Sequence, residues 1–507
     1  MNRSHLTIAL VVLALLIGTL PVALPQDATP VPLNANILTW AEAGSNPQES
    51  SPSTAGELGL MDGSGAFTKL LDVPAQTSRL EPCGNEAYAP DGSTFAFYMG
   101  LDSGTLYLMK GSDMPVPVAE VNALTCLGGG TFQFSPDSSR LAYIAYEPDA
   151  ASSEFADGFL HVVNTADLSE TYRYENVTAF DLAAGGMAFV SFFTNDRSEA
   201  DEAAVFWWNG NAEREVATLR PDENCRYTSA SITTAPDGSL LLVLGHRCRS
   251  GDTRTSWQLY RINVEDRSAT LAASEFAEGQ FASYTGTNQI MILPGGDAAL
   301  FLVPDGVTAN TAGVMVVQLA DLSISEVIQR QAVYPTLSGA PNAFPVVSPD
   351  GRWLAVVVTS VNNDNTLNVI DLSAPATPPI TLSAGSRNDL ITTMAFSADS
   401  QRLIFIAGAA GLGRDAGNSL VALDLDSGSD FRIKRGHFAR GFAIAPDGSA
   451  VAAMDYELPE DEREPAYLNL VKIDIDTSET TLLAEGADVV DGKVTNQRFA
   501  MPLSWRP

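Results

Sequence analysis

The sequence predicts an all-β protein, a single β-propeller built from four-stranded blades. Three observations lead to this fold class: a short turn phrase recurs along the chain, its copies are evenly spaced, and the two chain ends complement each other. The phrase consists of an apolar residue, a small residue, Pro, Asp, Gly or Ser, and then an apolar run. Examples are APDGSTFAFYM, which begins at Ala89, and VSPDGRWLAVVV, which begins at Val347.

Each copy of the phrase is expected to form a β-hairpin. Proline suits the second position of a tight turn, Asp accepts hydrogen bonds from the backbone that follows, and Gly tolerates positive φ. The flanking apolar residues are typical of strands. A third strand that ends in an acidic turn follows the hairpin, as at 367–372, and a fourth strand precedes the next copy. Four strands per period make one propeller blade.

The spacing of the turns indicates the number of blades. The turn aspartates are Asp91, Asp137, Asp237, Asp350, Asp399 and Asp447. Three of the steps between them are nearly equal in length, whereas the steps that begin at Asp137 and Asp237 are about twice as long and each have room for a degenerate copy. Ala184-Gly185-Gly186 and Pro294-Gly295-Gly296 fit those two places, which gives eight turns.

The two ends of the chain are expected to pair and close the ring. The segment 503–507 resembles the strand that precedes a turn, and the segment 37–41 resembles the strand that follows one. Their pairing would leave no open sheet edge and would add a ninth module. We therefore predict one propeller of eight to nine blades, and seven blades is the alternative if an irregular module lies outside the ring.

The segment 1–25 resembles a secretory signal peptide. Arg3 precedes an apolar run from Leu6 to Leu24, which is the pattern of such signals. The run is also long enough for an uncleaved membrane anchor, which is the alternative for this segment. Residues 26–35 are expected to form a short linker that contains proline, and residues 36–507 the propeller. The expected location is extracytoplasmic: secreted, periplasmic or at the cell surface.

Four cysteines follow the signal segment, namely Cys83, Cys126, Cys225 and Cys248. They suit an oxidising compartment and allow three pairings. Cys225 and Cys248 lie at nearly equal distances before and after Asp237, so the two would face each other across one hairpin. A bridge there would close a loop of about 24 residues and stabilise the fold by roughly 3 kcal/mol. Cys83 and Cys126 lie at equivalent places in adjacent blades and are the second predicted pair.

The chain is strongly acidic, with 29 basic residues, 61 acidic residues and a net charge of −32. Binding to nucleic acid requires a basic stripe, so no nucleic-acid partner is expected. Self-repulsion of this size favours a soluble exported monomer, whose only membrane contact would be an uncleaved N-terminal helix. Binding of cations or of a basic partner is the alternative interpretation of the charge.

The repeat resembles the TolB-like or WD40-like (PD40) β-propeller repeat. The phrase SPDGRWLAV, which begins at Ser348, carries the likeness, and it extends over about residues 36–507. TolB proteins have an additional N-terminal α/β domain, and prolyl-oligopeptidase-like hydrolases have a C-terminal α/β-hydrolase domain; neither is expected here. The resemblance therefore implies the fold and neither of those two roles.

The sequence contains no recognised catalytic motif. It has neither the G-x-S-x-G nucleophile elbow nor the H-E-x-x-H zinc motif. Three histidines follow the signal segment. His161 is expected on a third strand, and His246 and His437 on loops, which makes a catalytic triad a poor hypothesis.

Two patterns have a structural and a functional interpretation. The pairs Asp424 and Asp426, and Asp474 and Asp476, have the D-x-D spacing used in calcium loops. Both lie where a third strand turns into a fourth, so turn chemistry is favoured and a Ca²⁺ site is the alternative; no other cofactor or metal is expected. The run Phe206-Trp207-Trp208 could stack on a sugar, but neighbours on a strand point to opposite faces, so core packing is favoured.

A binding site is expected on the face opposite the P-D-G turns, which we call the loop face; the face with those turns is the turn face. Functional residues on a repeat scaffold usually lie on its variable loops. Two of these loops, 246–256 and 359–366, carry convergent polar side chains, and a third is 407–418. The candidate binding residues are His246, Arg247, Arg249, Arg254, Asn362, Asn363, Asp364, Arg414 and Asp415. Long exposed loops without a ligand are the structural alternative.

These patterns favour an exported, non-catalytic propeller that binds a protein, peptide or cell-envelope component through its loop face. The alternative is a propeller enzyme, a metal-dependent hydrolase, lactonase or lyase with carboxylates at the channel mouth. A third hypothesis is a sensor ectodomain held by an uncleaved N-terminal helix. The sequence does not name a ligand.

Overall fold

The computed structural model describes residues 37–505 apart from a set of gaps. The gaps are 44–55, 74–85, 101–103, 112, 122–131, 146–157, 194–199, 224, 251, 277–289, 294, 305–311, 334–345, 360–364, 375–376, 386–388, 410–416, 458–465, 485–487, 491–492 and 496–497. The described residues form strands and turns and contain no helix, so none of them forms a helix able to cross a membrane.

Thirty-six of the strands form nine four-stranded antiparallel modules, as the literal count of the repeat predicts. Blade 1 contains β1 (Ile37–Ala43), β2 (Gly56–Met61), β3 (Phe67–Val73) and the last strand of the chain, β38 (Arg498–Trp505); blade 2 contains β4 (Glu86–Tyr88), β5 (Thr94–Gly100), β6 (Gly104–Lys110) and β7 (Val116–Val121); blade 3 contains β8 (Phe132–Phe134), β9 (Arg140–Ala145), β10 (Phe159–Asn164) and β11 (Glu170–Tyr174).

The middle three blades follow the same order from the innermost to the outermost strand. Blade 4 contains β12 (Val177–Ala183), β13 (Gly186–Phe193), β14 (Glu202–Trp208) and β15 (Glu213–Leu219); blade 5 contains β16 (Cys225–Thr234), β17 (Leu240–Ser250), β18 (Asp252–Ile262) and β19 (Ala269–Phe276); blade 6 contains β20 (Ile290–Ile292), β21 (Ala298–Pro304), β22 (Ala312–Gln318) and β23 (Ile324–Val333).

The last three blades complete the ring. Blade 7 contains β24 (Val346–Val347), β25 (Trp353–Thr359), β26 (Asn365–Asp371) and β27 (Ile380–Ser383); blade 8 contains β28 (Asp389–Phe396), β29 (Arg402–Ala409), β30 (Asn418–Asp424) and β31 (Ser429–Gly436); blade 9 contains β32 (Phe438–Ile444), β33 (Ala450–Glu457), β34 (Ala466–Asp474) and β35 (Thr480–Ala484). A further hairpin, β36 (Asp488–Val490) and β37 (Lys493–Thr495), extends blade 9.

The turn phrase joins the first and second strand of a blade, as predicted. Gly92 has φ 69°, and Ser138, which occupies the same position in the next copy, has φ 61°. The Asp91 carboxylate accepts hydrogen bonds from the backbone N–H (2.9 Å) and the hydroxyl (2.7 Å) of Ser93. These hydrogen bonds lower the pKa of Asp91. The degenerate copy that ends at Gly296 behaves alike, since Gly296 also has positive φ, 72°.

Substitution of Gly92 by Ala is expected to destabilise the protein by about 1 kcal/mol through the backbone alone, because its left-handed φ disfavours any Cβ. A Cβ on Gly92 would meet no atom within 4 Å, so no steric clash contributes. Gly63→Ala is the matched control: a Cβ there would also meet nothing within 4 Å, and Gly63 has no left-handed φ. Equal free energies of unfolding for the two variants in urea titrations would contradict this explanation.

Every pair of successive blades buries an apolar cluster between its two sheets, around the whole ring. The interface between blades 9 and 1 contains Ile37 and Met61 from one blade and Ala452, Leu470 and Leu483 from the other. Ile37 is fully buried there. The first and last blades therefore pack together as any other neighbours do.

The predicted pairing of the two chain ends is confirmed. Strand β38 pairs antiparallel with β1, from Ile37 opposite Trp505 to Ala43 opposite Arg498. It occupies the position that the first strand of its own module occupies in every other blade. The described strands form nine blades, the upper of the two predicted values.

The aromatic run in β14 packs into the core, as predicted. Trp208 belongs to the cluster between blades 3 and 4, whereas Trp207 packs against the cluster between blades 4 and 5. The guanidinium of Arg140 lies 5.2 Å from the centre of the Trp208 ring. Because the two indoles serve opposite interfaces, they do not form one stacking platform.

Candidate functional site

The prediction of His246 on an exposed loop is wrong. His246 lies inside β17 and is 1% exposed. Strands β17 and β18 continue beyond the apolar run as one long hairpin, with Ser250 opposite Asp252. His246 follows the inward-facing Leu240, Leu242 and Leu244 at the two-residue period of a strand, so its side chain enters the interface between blades 4 and 5.

The environment of His246 keeps its imidazole neutral. Its ring meets the ring of Tyr227 edge to face at 4.7 Å. Burial lowers the pKa of His246 to about 4, although a hydrogen bond with Gln258 and the charge of Asp222 act in the opposite direction. Nε2 of His246 has no hydrogen-bond partner in the described part of the chain. His246 is therefore a core residue of the ring and not a surface ligand.

The three predicted arginines of the same segment also lie on strands and not on a loop. Arg247 pairs with Thr255, Arg249 with Thr253, and Arg254 with Cys248. Their side chains lie outside the described residues. Several other predicted residues lie outside the described residues altogether, namely Asn362, Asn363, Asp364, Arg414, Asp415, Cys83 and Cys126.

The register of blade 5 places Cys225 directly opposite Cys248. Cys225 is buried and disulfide-bonded. We expect Cys248 to be its partner, because cross-strand neighbours bring their Cβ atoms to about 4.5–5.5 Å, close to disulfide distance. Mass mapping of the unreduced protein should yield one peptide pair linked through these two residues; a pairing of Cys225 with Cys83 or Cys126 would contradict the prediction.

A polar cavity of about 690 Å³ opens on the loop face between blades 8 and 9. We call it the blade 8–9 cavity. Strand β33 begins at Ala450, next to its P-D-G turn on the turn face. Asp455 is near the other end of this strand and therefore lies at the loop face. The lining residues come from five segments of the two blades: Gly417, Lys434, Arg435, Gly436, His437, Asp455, Tyr456, Asn469, Val471, Thr480 and Leu482.

Asp455 organises the polar wall of the blade 8–9 cavity. Its Oδ1 accepts a hydrogen bond from the backbone N–H of His437 at 3.1 Å. Its Oδ2 lies 3.5 Å from Nζ of Lys434, which also donates to Oγ1 of Thr480 at 3.0 Å. Both carboxylate oxygens are thus held by the protein, and the ammonium group of Lys434 is fixed at the cavity wall.

The segment that carries His437 is clamped from the neighbouring blade. Asn418 of blade 8 exchanges two hydrogen bonds with the backbone of Phe438 in blade 9: its Nδ2 donates to the carbonyl oxygen and its Oδ1 accepts from the N–H, both at 2.8 Å. A Cβ on Gly436 would lie 2.6 Å from Oδ1 of Asp455, so only glycine permits this approach. The position of His437 is therefore fixed by both blades.

Two side-chain nitrogens converge on the space beside Gly417. A Cβ built on Gly417 would lie 3.7 Å from Nε of Arg435 and 3.7 Å from Nε2 of His437. The Nε2 atom of His437 is buried and has no hydrogen-bond partner among the described residues. Because Gly417 has no side chain, a small group can occupy this space.

The sequence carries a signal for this site in the charge of one short segment. Arg432, Lys434, Arg435 and Arg440 fall within the short segment 432–440, in a chain with more than twice as many acidic as basic residues. This basic segment is an island of positive charge. His437, which the sequence predicts on a loop, lies on the connection between β31 and β32 within that segment.

A second cavity, of about 720 Å³, lies at the turn face, against the innermost strands of blades 3 to 6. Its carboxylate, Asp181, links three blades: Oδ1 accepts from Nε2 of Gln133 at 3.2 Å and Oδ2 accepts from the N–H of Thr234 at 2.8 Å. Among the described lining residues it is the one acidic side chain. This turn-face cavity therefore offers no pair of carboxylates among its described lining residues.

The D-x-D segments act as turn acceptors. Asp424 accepts hydrogen bonds from the N–H and hydroxyl of Ser427, and Asp474 accepts the same pair from Thr477. Within the described residues, no group of three or more His, Cys, Asp or Glu side chains could hold a metal ion. His161 is a strand residue, as predicted, and its Nδ1 lies 2.6 Å from the Glu170 carboxylate.

The fold and this cavity define a class: a closed, nine-bladed β-propeller with a polar cavity on its loop face. No family model and no curated protein matches the chain. The assignment to the TolB-like or PD40 repeat family therefore remains an expectation from the sequence.

Solved propeller structures are similar in fold. An oligogalacturonate lyase in complex with manganese is 11% identical over 83% of this chain and 94% of that one, with a TM-score of 0.42. A puromycin-hydrolysing peptidase of Mycobacterium tuberculosis is 12% identical over 80% of this chain and 54% of its own, with a TM-score of 0.40. A TolB protein of Agrobacterium tumefaciens is 15% identical over 58% and 94%, with a TM-score of 0.25. These similarities concern the fold alone.

Proposed function

We propose that this protein is an extracytoplasmic, monomeric β-propeller that binds a protein, peptide or cell-envelope ligand through the blade 8–9 cavity. One observation carries the proposal: polar side chains from two blades converge there on an open space, at the face that the turn phrase leaves free to vary. The interblade clamp of Asn418 and the glycine at 436 hold this wall in place. A preformed wall lowers the entropic cost of binding.

The interactions at the cavity favour binding over catalysis. A general base must be within reach of a substrate proton, whereas both oxygens of Asp455 already accept hydrogen bonds or an ion pair from the protein. In the turn-face cavity, Asp181 is likewise engaged by two neighbouring blades. The binding function therefore has better support than the hydrolase, lactonase or lyase alternative.

Export remains part of the proposal and rests on the N-terminal sequence and on the disulfide at Cys225. N-terminal sequencing of the protein recovered outside the cytoplasm separates the two hypotheses for residues 1–25. A mature start near Gln26 supports a cleaved signal, and a start at Met1 supports the anchor.

Affinity capture with the full chain tests the binding function. Gly417→Val should abolish recovery of a partner, because the new side chain would fill the space between Arg435 and His437. Gly63→Val is the control, since Gly63 lies on an exposed turn of blade 1 where a Cβ meets nothing within 4 Å. Circular dichroism checks that both variants are folded. Undiminished capture by folded Gly417→Val would contradict the proposal.

A further inference from the structure

We infer that the blade 8–9 cavity binds its ligand through an oxyanion, a carboxylate or phosphate group seated beside Gly417 between Arg435 and His437. This inference deepens the proposed function and rests on it. It adds that the ligand must carry an acidic group, because such a group is what the basic side chains of the cavity wall can bind.

The donors at this point have the geometry for an oxyanion. Nε of Arg435 and Nε2 of His437 both lie 3.7 Å from the place where a Gly417 Cβ would be. Because this point is one covalent bond from the Gly417 Cα, a ligand oxygen must lie farther out, toward the two nitrogens, where it comes within ordinary hydrogen-bond distance of both, about 2.7–3.2 Å. The carbonyl oxygen of Gly436 lies 3.6 Å from the same point, so the anion is expected on the Arg435 side.

An unpaired buried nitrogen is a second argument for a ligand. Buried polar groups nearly always have a hydrogen-bond partner, because a buried donor or acceptor without one destabilises the protein. Nε2 of His437 lacks one among the described residues. A ligand oxygen at the inferred position would accept a hydrogen bond from this imidazole nitrogen and restore the missing partner.

The charges of the wall exclude a cation as the preferred occupant. Lys434, Arg435 and His437 are the basic lining residues, and Asp455 is the acidic one. Asp455 is already neutralised by Lys434 and by the His437 backbone. The surplus charge at the wall is therefore positive, in a chain whose net charge is −32.

The contrast between this site and the rest of the surface adds selectivity. An acidic protein repels anions in general, so an anion that approaches is attracted at the basic island and repelled around it. Charge-assisted hydrogen bonds to Arg are stronger than neutral ones and directional. A ligand with one oxyanion would thus be oriented as well as attracted.

The size of the cavity shows that the oxyanion is one part of a larger ligand. A volume of about 690 Å³ is far greater than a single phosphate requires. Leu482, whose residue surface is 49% exposed, and Val471 form an apolar flank opposite the charged wall. The ligand is expected to place an apolar or neutral portion against that flank.

Isothermal titration of the full chain with defined probes tests the inference. The probes are succinate, inorganic phosphate and, as the uncharged match to succinate, succinamide. We expect saturable heat with succinate or phosphate and none with succinamide. Heat with succinate alone identifies a carboxylate ligand, heat with phosphate alone identifies a phosphate ligand, and heat with both supports an oxyanion site that accepts either.

Two variants connect that heat to the cavity. Arg435→Gln should weaken the binding about tenfold or more, because it removes a charge-assisted hydrogen bond. Arg432→Gln makes the same change of charge on the same strand but outside the lining, and should alter the affinity less than about twofold. If the two variants weakened binding equally, the effect would come from overall charge. That result would contradict an anion site beside Gly417.

The two proposals fail in different ways. If Gly417→Val abolishes partner capture while neither anion binds nor competes with capture, the oxyanion inference is wrong and the binding function stands. If capture is unchanged in folded Gly417→Val, the binding function at this cavity is wrong, and anion binding by itself would not rescue it.

Discussion

Removal of residues 498–507 should unfold the propeller, with a loss of about 5 kcal/mol or more, which is the whole stability of many domains. The deletion removes β38, the innermost strand of blade 1, and with it the antiparallel ladder to β1. The contacts of β38 with blade 9 would also be lost, and the cluster around Ile37 and Leu470 would open to water. An unpaired sheet edge would remain on β1. Urea unfolding monitored by circular dichroism measures the change.

A circular permutant is the control for this deletion. The permutant begins with residues 498–507, continues through an inserted Asp-Gly-Ser turn into residue 36, and ends at residue 497. Pro507 and the inserted residues then form a turn phrase of the kind found in the other blades. The permutant keeps every strand and should unfold within a few degrees of the parent. If the truncated chain were as stable as the parent, the closure of the ring would contribute nothing.

Acidification from pH 6.5 to pH 4 should destabilise the protein by about 3 kcal/mol through His246 alone. Burial lowers the pKa of His246 from 6.5 to about 4. In this window the unfolded chain binds a proton at this residue and the folded protein does not, so the free energy of unfolding decreases as the pH falls. Below pH 4 the folded protein is protonated as well, and this contribution stops changing.

His246→Leu isolates the contribution. The variant should lose most of the pH dependence between pH 6.5 and about pH 5 in urea titrations, whatever its stability at pH 7. His161→Gln removes a histidine that contacts Glu170 at the surface of blade 3 and should retain that dependence. The turn carboxylates add their own pH dependence below about pH 5, since hydrogen bonds from Ser135 and Ser139 lower the pKa of Asp137 to about 2 in the folded protein. An unchanged slope in His246→Leu would contradict the prediction.

The architecture was predictable because its determinants are local. The turn phrase specifies a hairpin through the φ of Pro and Gly and through the Asp side chain, and its repetition at nearly constant spacing specifies the blade. The two degenerate copies, at Ala184 and Gly296, retain the turn although Asp is absent. Counting modules therefore gave nine even where the phrase had decayed.

The site was predictable only in part. The loop face was anticipated from the variability of its loops, but His246 was misplaced because polar residues continue β17 beyond its apolar core, and the two-residue period was the available signal. The blade 8–9 cavity combines Gly417, Arg435, His437 and Asp455 from separate segments. Which residues converge depends on how the two blades pack against each other. The basic segment 432–440 is the sequence feature that indicates this site.

The strand shared by the two chain ends has a consequence for biosynthesis. Among the described strands, β1 is made first and its partner β38 is made last. Blades 2 to 9 can each form from neighbouring segments, whereas blade 1 must wait until β38 has been made. Contacts of such long sequence separation form slowly. Closing the ring is thus expected to be the final event of folding.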